Sequence, residues 1–301
     1  MKHFDQIVIG GGISGLSEAY KNQQLGHSVL IIEKSNWGGV IQSEKNEWGI
    51  QEKGPNSIAL TPSLRKLIDN LGIKDQVINA DAAAQKRYIF LDGKPVEINP
   101  KKLLFSGEIL GFRSKFALLT ERFRKAKTIE NETLGQAIER RFNAEILNKL
   151  VNPVVTGIYA GDPNQLEYKS SLKRLYEFET TEGSFTKGFL KAKKSGNKRE
   201  IISFKRGMYT LIESLLLQIK DKQITDVKNI KKKGEKWIIE TTVETYSTDS
   251  LCLATPPHVA YQLLSESIIL PKMVDSIPMP NLVTRQVIVC LLYTSPSPRD
   301  A

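Results

Sequence analysis

The sequence has few cysteines and few histidines. Its 301 residues include 2 cysteines, Cys252 and Cys290, and 3 histidines. Two distant cysteines exclude a disulfide framework and a cysteine-rich zinc site, and they are typical of a protein from a reducing compartment. The sequence contains no recognisable Ser-His-Asp set, carboxylate pair or metal-ligand cluster. It therefore indicates no catalytic side chain and no metal ligand.

Long apolar runs are also missing. No run approaches the roughly 20 residues that a membrane-spanning helix needs, so any membrane association is expected to be peripheral. The first predicted strand begins almost at Met1, which predicts that no signal peptide is present. The length of 301 residues suggests about two domains with a large core.

The net charge of +10 is unevenly distributed. Residues 86–127 contain eleven Lys and Arg against four acidic residues, and residues 187–206 contain eight against one. A solvated basic face is the usual interpretation. Attraction to an anionic membrane surface or to an acidic substrate is the alternative. Nucleic acid is not predicted as a partner, because no binding motif accompanies the charge.

The first thirty-three residues have the pattern of one complete βαβ unit. Residues 4–9 form a short apolar run typical of a buried parallel strand, and a glycine-rich turn follows at residues 10–15. Residues 16–25 have the pattern of a helix that stops at Gly26. Residues 29–32 form a second buried strand.

The spacing of the glycines predicts a dinucleotide site. Gly10 permits a tight turn, Gly12 lets the backbone approach a pyrophosphate, and Gly15 lets the helix pack close to the strand. The N–H groups and the positive dipole end of the helix then face the phosphates. Glu33 ends the second strand, where a carboxylate accepts hydrogen bonds from a ribose. An acid there favours FAD or NAD over NADP.

Further features follow along the chain. The Gly38-Gly39 pair gives the backbone a second close approach to a long cofactor. Residues 48–57 predict a strand that runs into a turn. Thr61 is the predicted N-cap of a helix over residues 64–71, and Gly72 is its stop.

Together these features resemble a known family. The segment 10–15, Glu33, the Gly-Gly pair and the segment 52–57 are similar to the FAD-binding start of the amine-oxidase and protoporphyrinogen-oxidase flavoproteins. The family pattern has an arginine just before the Gly-Gly pair, where this chain has Asn36 and Trp37. The resemblance implies these FAD-binding residues: Gly10, Gly12, Ile13, Ser14, Gly15, Glu33, Lys34, Gly38, Gly39, Gly54, Pro55, Asn56, Ser57, Val227 and Ala254.

The middle of the chain has a different pattern. Residues 87–96 predict two short strands joined by an Asp-Gly turn. Residues 103–120 are helical in outline, and residues 125–149 carry another helix, with Thr133 as its N-cap. We expect their apolar stripes to pack in a core, with a lipid-facing surface as the alternative.

Two later segments are predicted to be irregular. Residues 152–163 have the composition of a small-residue turn, although the same stretch closely resembles a signature region of protoporphyrinogen oxidases. Residues 186–199 predict a basic loop.

The resemblance implies a fold and an activity. The fold is α/β, a Rossmann-like FAD-binding domain with an inserted, mainly helical α+β domain that faces the membrane and the substrate. The implied activity is oxidation of protoporphyrinogen IX to protoporphyrin IX with dioxygen as acceptor, in haem synthesis. Arg87 is the predicted substrate-binding residue, because a guanidinium makes a bidentate contact with a propionate. A cytoplasmic protein on the inner face of the cell membrane is expected, and a homodimer remains open.

The expected domain limits are 1–80 and 201–257 for the two parts of the FAD domain, 81–200 for the inserted domain and 258–289 for the start of a substrate domain. Residues 290–301 resemble translated vector sequence, which predicts that the chain is truncated. Four alternatives remain open: coproporphyrinogen oxidation by the same fold, another FAD amine oxidase or desaturase, an inactive FAD-binding fragment, and a basic membrane-binding module.

Overall fold

The computed structural model describes residues 1–81, 86–127, 129–194 and 200–265, and also residues 267, 271, 274, 275, 277 and 279. The predicted vector-like tail at 290–301 lies outside the described residues. The chain divides into two compact units: unit 1 is Met1–Ala80 with the chain from Glu200 onward, and unit 2 is Asp81–Arg199.

Unit 1 begins with a βαβ arrangement followed by a hairpin. Its first elements are β1 (Lys2–Ile9), α1 (Ile13–Gln24), β2 (Val29–Glu33), β3 (Ser43–Asn46), β4 (Gly49–Glu52), β5 (Ile58–Ala59), α2 (Pro62–Leu71) and β6 (Val77–Asn79), with a 3-10 turn at Lys74–Gln76.

Unit 2 has one hairpin and is otherwise helical. Its elements are β7 (Tyr88–Leu91), β8 (Lys94–Glu97), α3 (Pro100–Phe105), α4 (Phe112–Thr120), α5 (Leu134–Arg141), α6 (Ala144–Ile146), α7 (Asn152–Tyr159), α8 (Tyr168–Ser171), α9 (Lys173–Glu182) and α10 (Phe185–Lys194). A 3-10 turn at Glu121–Phe123 follows α4, and a π-helical turn at Leu147–Val151 joins α6 to α7.

The chain then returns to unit 1 with β9 (Ile201–Phe204), α11 (Tyr209–Gln218), β10 (Asp221–Ile224), β11 (Val227–Lys233), β12 (Lys236–Thr241), β13 (Thr245–Leu253) and α12 (Pro257–Leu264). The main sheet has the order β10-β2-β1-β13-β12-β11. The pairs β10–β2, β2–β1 and β1–β13 are parallel, and the last two pairs are antiparallel. The predicted α/β fold is confirmed.

The main sheet is buried on both faces, as a parallel sheet requires. Val8 and Ile31 point to one side, where they pack with α1 and α11. Their neighbours Ile7 and Ile32 point to the other side and pack with residues of β11 and β12. All four side chains are essentially inaccessible to solvent. Because alternate side chains of β1 and β2 point to opposite faces of the sheet, this strand pair contributes to both cores.

Several predicted helix and turn signals are confirmed. The Thr61 hydroxyl accepts a hydrogen bond from Leu64 N at the start of α2, and Gly72 ends the helix in the left-handed conformation. Thr133 forms a capping box at the start of α5. In the turn between β7 and β8, Asp92 and Gly93 both have positive φ, as an Asp-Gly hairpin turn requires.

Four predictions for unit 2 are wrong. The helix predicted over 125–149 begins only at Leu134 and is interrupted at residues 142–143, between α5 and α6. The helical pattern over 103–120 is two helices, α3 and α4, separated at residues 106–111. The small-residue segment 152–163 begins with the helix α7, because Pro153 is tolerated in the first turn and Ala160 provides the left-handed stop. Most of the basic segment 186–199 is the helix α10, which begins at Phe185, since the long lysine side chains are good helix formers.

The apolar stripes of unit 2 divide between core and surface. Ile109, Leu110 and Ile138 are buried, as predicted for core packing. Phe105, Phe112 and other large side chains of α3, α4 and the following turn remain exposed. Over the described residues, no helix is long and apolar enough to cross a membrane.

A buried network of charged side chains lies inside unit 2. Glu121 accepts hydrogen bonds from Arg141, from the Ser184 hydroxyl at 2.7 Å and from Phe185 N at 3.0 Å. Arg140 joins the network through Glu132 at 2.7 Å and Glu179 at 2.8 Å. These contacts link the turn after α4 to α5, α9 and α10.

The network controls the pKa of Glu121. Burial works to raise this pKa, but hydrogen bonds from Arg141, Ser184 and Thr186 outweigh burial and lower it to about 2. A carboxylate whose pKa is lower in the folded state stabilises the fold above its ordinary pKa, and that stabilisation disappears as the pH falls through the folded value.

We therefore predict that unit 2 loses stability in acid between the ordinary glutamate pKa, near 4.5, and about pH 2. Glu121→Gln should weaken that pH dependence and destabilise the fold by about 3 kcal/mol at neutral pH, because Arg141 loses one buried carboxylate partner and keeps Glu179 at 3.3 Å. Urea unfolding followed across pH is the measurement.

Glu177→Gln is the matched control. Glu177 forms an exposed pair with Lys173 at 3.9 Å, and such pairs contribute at most about 1 kcal/mol. If Glu121→Gln unfolded at the same urea concentration as Glu177→Gln at every pH, the stabilising role of the network would be disproved.

Candidate functional site

The glycine-rich turn joins the carboxyl end of β1 to α1. Gly10 has a φ of +111°, and a Cβ there would lie 2.5 Å from the carbonyl oxygen of Ala254. A Cβ at Gly15 would lie 1.9 Å from the carbonyl oxygen of Gly10. The fold itself therefore requires glycine at both positions, because β1, α1 and the chain after β13 approach backbone to backbone.

Gly12 differs from these two glycines. Its φ of −75° and ψ of 177° are accessible to any residue. A Cβ there would meet no atom of the described chain within 4 Å. Packing of the chain does not explain a glycine at this position. An external group that comes close to the backbone does explain it.

The N-terminus of α1 is open at the same place. Leu16 N donates to Gly12 O at 3.0 Å, the first hydrogen bond of the helix. Within the fully described segment 1–81, no side chain caps α1 and no acid occupies its first turn. The uncapped N–H groups and the helix dipole suit a negative group such as a diphosphate.

A second backbone segment lies beside the turn. Gly38 N donates to Gly11 O at 2.8 Å, and Gly38 pairs with Gly12 as an isolated parallel bridge. A Cβ at Gly39 would lie 3.5 Å from Gly12 Cα. A third segment packs against the second one, since a Cβ at Gly54 would lie 1.9 Å from the carbonyl oxygen of Val40.

Glu33 lies at the end of β2 with its carboxylate directed toward the turn. One carboxylate oxygen accepts from Gly11 N at 2.6 Å, and the other accepts from Ser35 N at 2.9 Å. Each oxygen retains a further lone pair for a hydroxyl donor. The arrangement fits a ligand that has a diphosphate next to a ribose.

The other predicted cofactor residues lie in different surroundings. Ala254 N donates to Ile9 O at 2.8 Å, which places Ala254 against Gly10. Val227 begins β11, and Thr225, two residues earlier, donates its N–H to Glu33 O at 2.8 Å.

The remaining predicted cofactor residues lie nearer the surface. Lys34 is exposed, and its Nζ lies 3.6 Å from a carboxylate oxygen of Asp226. Ile13 and Ser14 form the first turn of α1. Pro55, Asn56 and Ser57 are exposed, and the Ser57 hydroxyl donates to Asn56 Oδ1 at 3.0 Å.

Arg87, the predicted substrate residue, belongs to unit 2 and comes directly before β7. It is exposed, and its guanidinium donates to Lys86 O at 3.3 Å. Its carbonyl oxygen accepts from Ile98 N at 2.8 Å, which fixes the backbone at the open end of the hairpin.

Two contacts near the site were not predicted from the sequence. The ring of Trp37 occupies the space next to Gly11. The Glu52 carboxylate accepts from the Ser43 hydroxyl at 2.7 Å and from Met208 N at 2.8 Å, and so holds the β3–β4 hairpin to the start of α11. Glu52 and Met208 are 156 residues apart, so no local spacing could have indicated their contact.

One cluster of potential metal ligands occurs among the described residues. Single ligand atoms of His3, Asp5 and Asp249 lie within 4.8 Å of one another, and all three residues are exposed. They lie toward the amino end of β1, whereas the glycine-rich turn follows its carboxyl end. Ser247 and Ser28 already form hydrogen bonds with His3 and Asp5, and we assign no metal to this cluster.

Comparison with known proteins gives a family and several relatives. The family model described as flavin containing amine oxidoreductase matches residues 13–289. Protoporphyrinogen oxidase 2 of Arabidopsis thaliana is 30% identical over 244 residues, which cover 72% of this chain and 48% of the relative. Coproporphyrinogen III oxidase of Bacillus subtilis is 27% identical over 296 residues, which cover 86% of this chain and 61% of the relative.

Solved structures share the fold. The crystal structure of a candidate protoporphyrinogen oxidase from Exiguobacterium sp. 255-15 matches 88% of this chain and 62% of its own, with a TM-score of 0.71 and 21% identity. Cyclohexylamine oxidase from Brevibacterium oxydans matches 91% of this chain and 62% of its own, with a TM-score of 0.62 and 17% identity. The chain thus spans about half to three fifths of the length of these relatives.

The contrast between Gly12 and Gly15 gives a prediction for FAD binding. Gly12→Ala should weaken FAD binding by about tenfold or more, because the added methyl group occupies space that a diphosphate needs. It should cost at most about 1 kcal/mol of stability, since the methyl group meets nothing in the chain. Titration with FAD and thermal unfolding measure the two effects.

Gly15→Ala serves as the opposite case. Its methyl group would clash with Gly10 O, so the fold should be destabilised before FAD is added. Wild-type FAD affinity in Gly12→Ala would place the diphosphate elsewhere.

Proposed function

The chain belongs to the family of flavin-containing amine oxidoreductases, and on this ground we propose that the protein oxidises a porphyrinogen, with protoporphyrinogen IX as the principal candidate. The observation that supports this proposal most directly is that curated relatives matched over most of this chain are named porphyrinogen oxidases. The cofactor is FAD, as the family and its flavoprotein neighbours indicate.

Different residues of the chain would hold different parts of FAD. The N-terminus of α1 with Gly12, and the adjoining Gly39, would hold the diphosphate. The Glu33 carboxylate would accept hydrogen bonds from the ribose hydroxyls. When bound, FAD supplies the acceptor for the electrons removed from the substrate, and we propose dioxygen as the final acceptor. The chain therefore needs no acid–base pair of its own and has only to orient the two molecules.

A second candidate substrate is coproporphyrinogen III. The Bacillus subtilis relative named for this reaction matches a larger share of the chain than the Arabidopsis thaliana protoporphyrinogen oxidase 2 does. The two substrates differ in their number of carboxylates, so the basic residues that face the substrate would decide between them.

The experiment that tests the proposal is a spectrum of the FAD-loaded protein before and after addition of each substrate. We expect the absorbance and fluorescence of a porphyrin to appear with one or both porphyrinogens, and no turnover of simple amines. A protein that binds FAD and oxidises an amine but no porphyrinogen would contradict the proposal. FAD binding without any turnover would make this chain the cofactor-binding part of a longer enzyme.

Arg87→Ala provides the substrate-side variant. Loss of a charge-assisted contact to a propionate should raise KM by about tenfold while FAD binding is unchanged. Arg113→Ala, which removes another exposed arginine of unit 2, is the matched control. An unchanged KM in Arg87→Ala would remove Arg87 from the substrate site.

We also propose that unit 2 makes the peripheral membrane contact and that the protein acts on the inner face of the cell membrane. Exposed aromatic side chains support this proposal: Phe105 is 85% exposed, Phe112 84% and Phe123 73%. Arg113 and Arg122 are exposed beside them in sequence. Aromatic rings together with basic charge suit the interface of an anionic bilayer.

Sedimentation with vesicles that contain anionic lipid tests the membrane contact. Phe112→Ser with Phe116→Ser should weaken vesicle binding by about tenfold or more, because two exposed rings that would be buried in the bilayer are lost. Leu217→Ser, which alters an exposed residue of α11 in unit 1, should leave it unchanged. Equal binding by all variants, or none by wild type, would refute a membrane role for this surface.

A further inference from the structure

Gly11 is a glycine that the dinucleotide motif does not require. The motif assigns roles to Gly10, Gly12 and Gly15 and leaves the position between the first two open. Gly11 is also absent from the glycines with positive φ, so its backbone conformation does not demand glycine. The reason for a glycine here must lie in its neighbours.

The neighbours of Gly11 leave no room for a side chain. A Cβ on Gly11 would lie 2.5 Å from Cε3 and 2.8 Å from Cζ3 of Trp37, both in the six-membered ring of the indole. It would also lie 2.9 Å from Cβ of Glu33. The Trp37 ring and the stem of Glu33 therefore lie together against the Cα of Gly11.

Trp37 is itself held in place. Gln42 Nε2 donates to Trp37 O at 2.8 Å. The next residue, Gly38, donates its N–H to Gly11 O at 2.8 Å. The side chain of Trp37 is half-buried and packs against the core formed by β1, β2, α1 and α11. The ring is thus supported by the fold on one side and contacts the turn on the other.

The peptide of Gly11 is consequently fixed at three points. The Glu33 carboxylate accepts its N–H, Gly38 donates to its carbonyl oxygen, and the Trp37 ring covers its Cα. The Trp37 ring supplies the packing contact, and the two hydrogen bonds supply the polar contacts, that hold Gly11 beside Glu33 and next to the open backbone at Gly12.

We propose that Trp37 is a positioning residue of the FAD site and that its uncovered edge borders the adenosine-diphosphate half of the cofactor. This inference rests on the proposed binding of FAD. Trp37 aligns the carboxylate of Glu33 with the diphosphate position at Gly12, and it does so by packing rather than by charge. The indole supplies an apolar wall beside the ribose.

The first test uses the fluorescence of Trp37. The chain has 3 tryptophans, and the double variant Trp48→Phe, Trp237→Phe leaves Trp37 as the single emitter. ADP-ribose is the probe, because it has the diphosphate and the riboses but no flavin to absorb tryptophan emission. We expect a saturable change in Trp37 emission as ADP-ribose is added.

The second test uses the steric contact. Gly11→Ala and Trp37→Ala should each weaken FAD binding by about tenfold. The double variant should lose less affinity than the product of the two single losses, because removal of the ring relieves the two shortest contacts of the methyl group and leaves the one with Glu33. Trp48→Ala, which removes an exposed tryptophan of the same unit, is the control and should bind FAD as wild type does. Thermal unfolding of each variant separates loss of fold from loss of alignment.

The outcomes distinguish this inference from the proposed function. If wild type binds neither FAD nor ADP-ribose, the proposed cofactor is wrong. If wild type binds both, but Trp37 emission is unchanged and the losses in Gly11→Ala and Trp37→Ala multiply, then Trp37 has only a structural role and the inference is overturned. Unchanged FAD affinity in Trp37→Ala would overturn it as well.

Discussion

Backbone-to-backbone contact at the carboxyl end of β1 is the constraint on which unit 1 depends. β1 lies between two parallel neighbours, so the turn after it meets the segments that follow β2 and β13. Glycine at positions 10 and 15 allows the turn, the start of α1 and the chain after β13 to come within van der Waals distance. Because no side chain fills the space in front of Gly12, the N–H groups that open α1 remain available to a ligand. The same close approach of backbone segments therefore lets the chain cross itself at this turn and leaves the open helix N-terminus that forms the candidate site.

The proposed diphosphate site depends on backbone groups and not on the neighbouring Lys34. Lys34, the basic residue next to Glu33, already lies near the carboxylate of Asp226. The positive end of α1 and the surrounding peptide N–H groups provide the attraction instead. Much of the excess positive charge of the chain lies in unit 2, where a propionate-bearing substrate or an anionic surface would use it. In the proposed function, cofactor binding and substrate attraction would therefore rely on different sources of charge.

Unit 2 combines a charged interior with an aromatic surface. Glu121 and Arg141 are buried at its centre, whereas Phe105 and Phe112 are exposed. The buried charges are tolerated because each has several hydrogen-bond partners. The exposed rings leave apolar surface in contact with water, which is why their contact with a lipid surface is a natural proposal.

The sequence by itself determined the βαβ unit, the cap at Thr61, the hairpin at Asp92 and Gly93, and the α/β class, because each depends on residues close together in the chain. Only the tertiary structure decided the helix at Asn152–Tyr159, the burial of Glu121 and the contact of Trp37 with Gly11. A small-residue segment is helical or irregular according to what packs on it. A glutamate in a basic stretch is indistinguishable from a surface residue until its distant partners are known. Local patterns therefore fixed the position of the turn, and contacts between remote segments fixed its geometry.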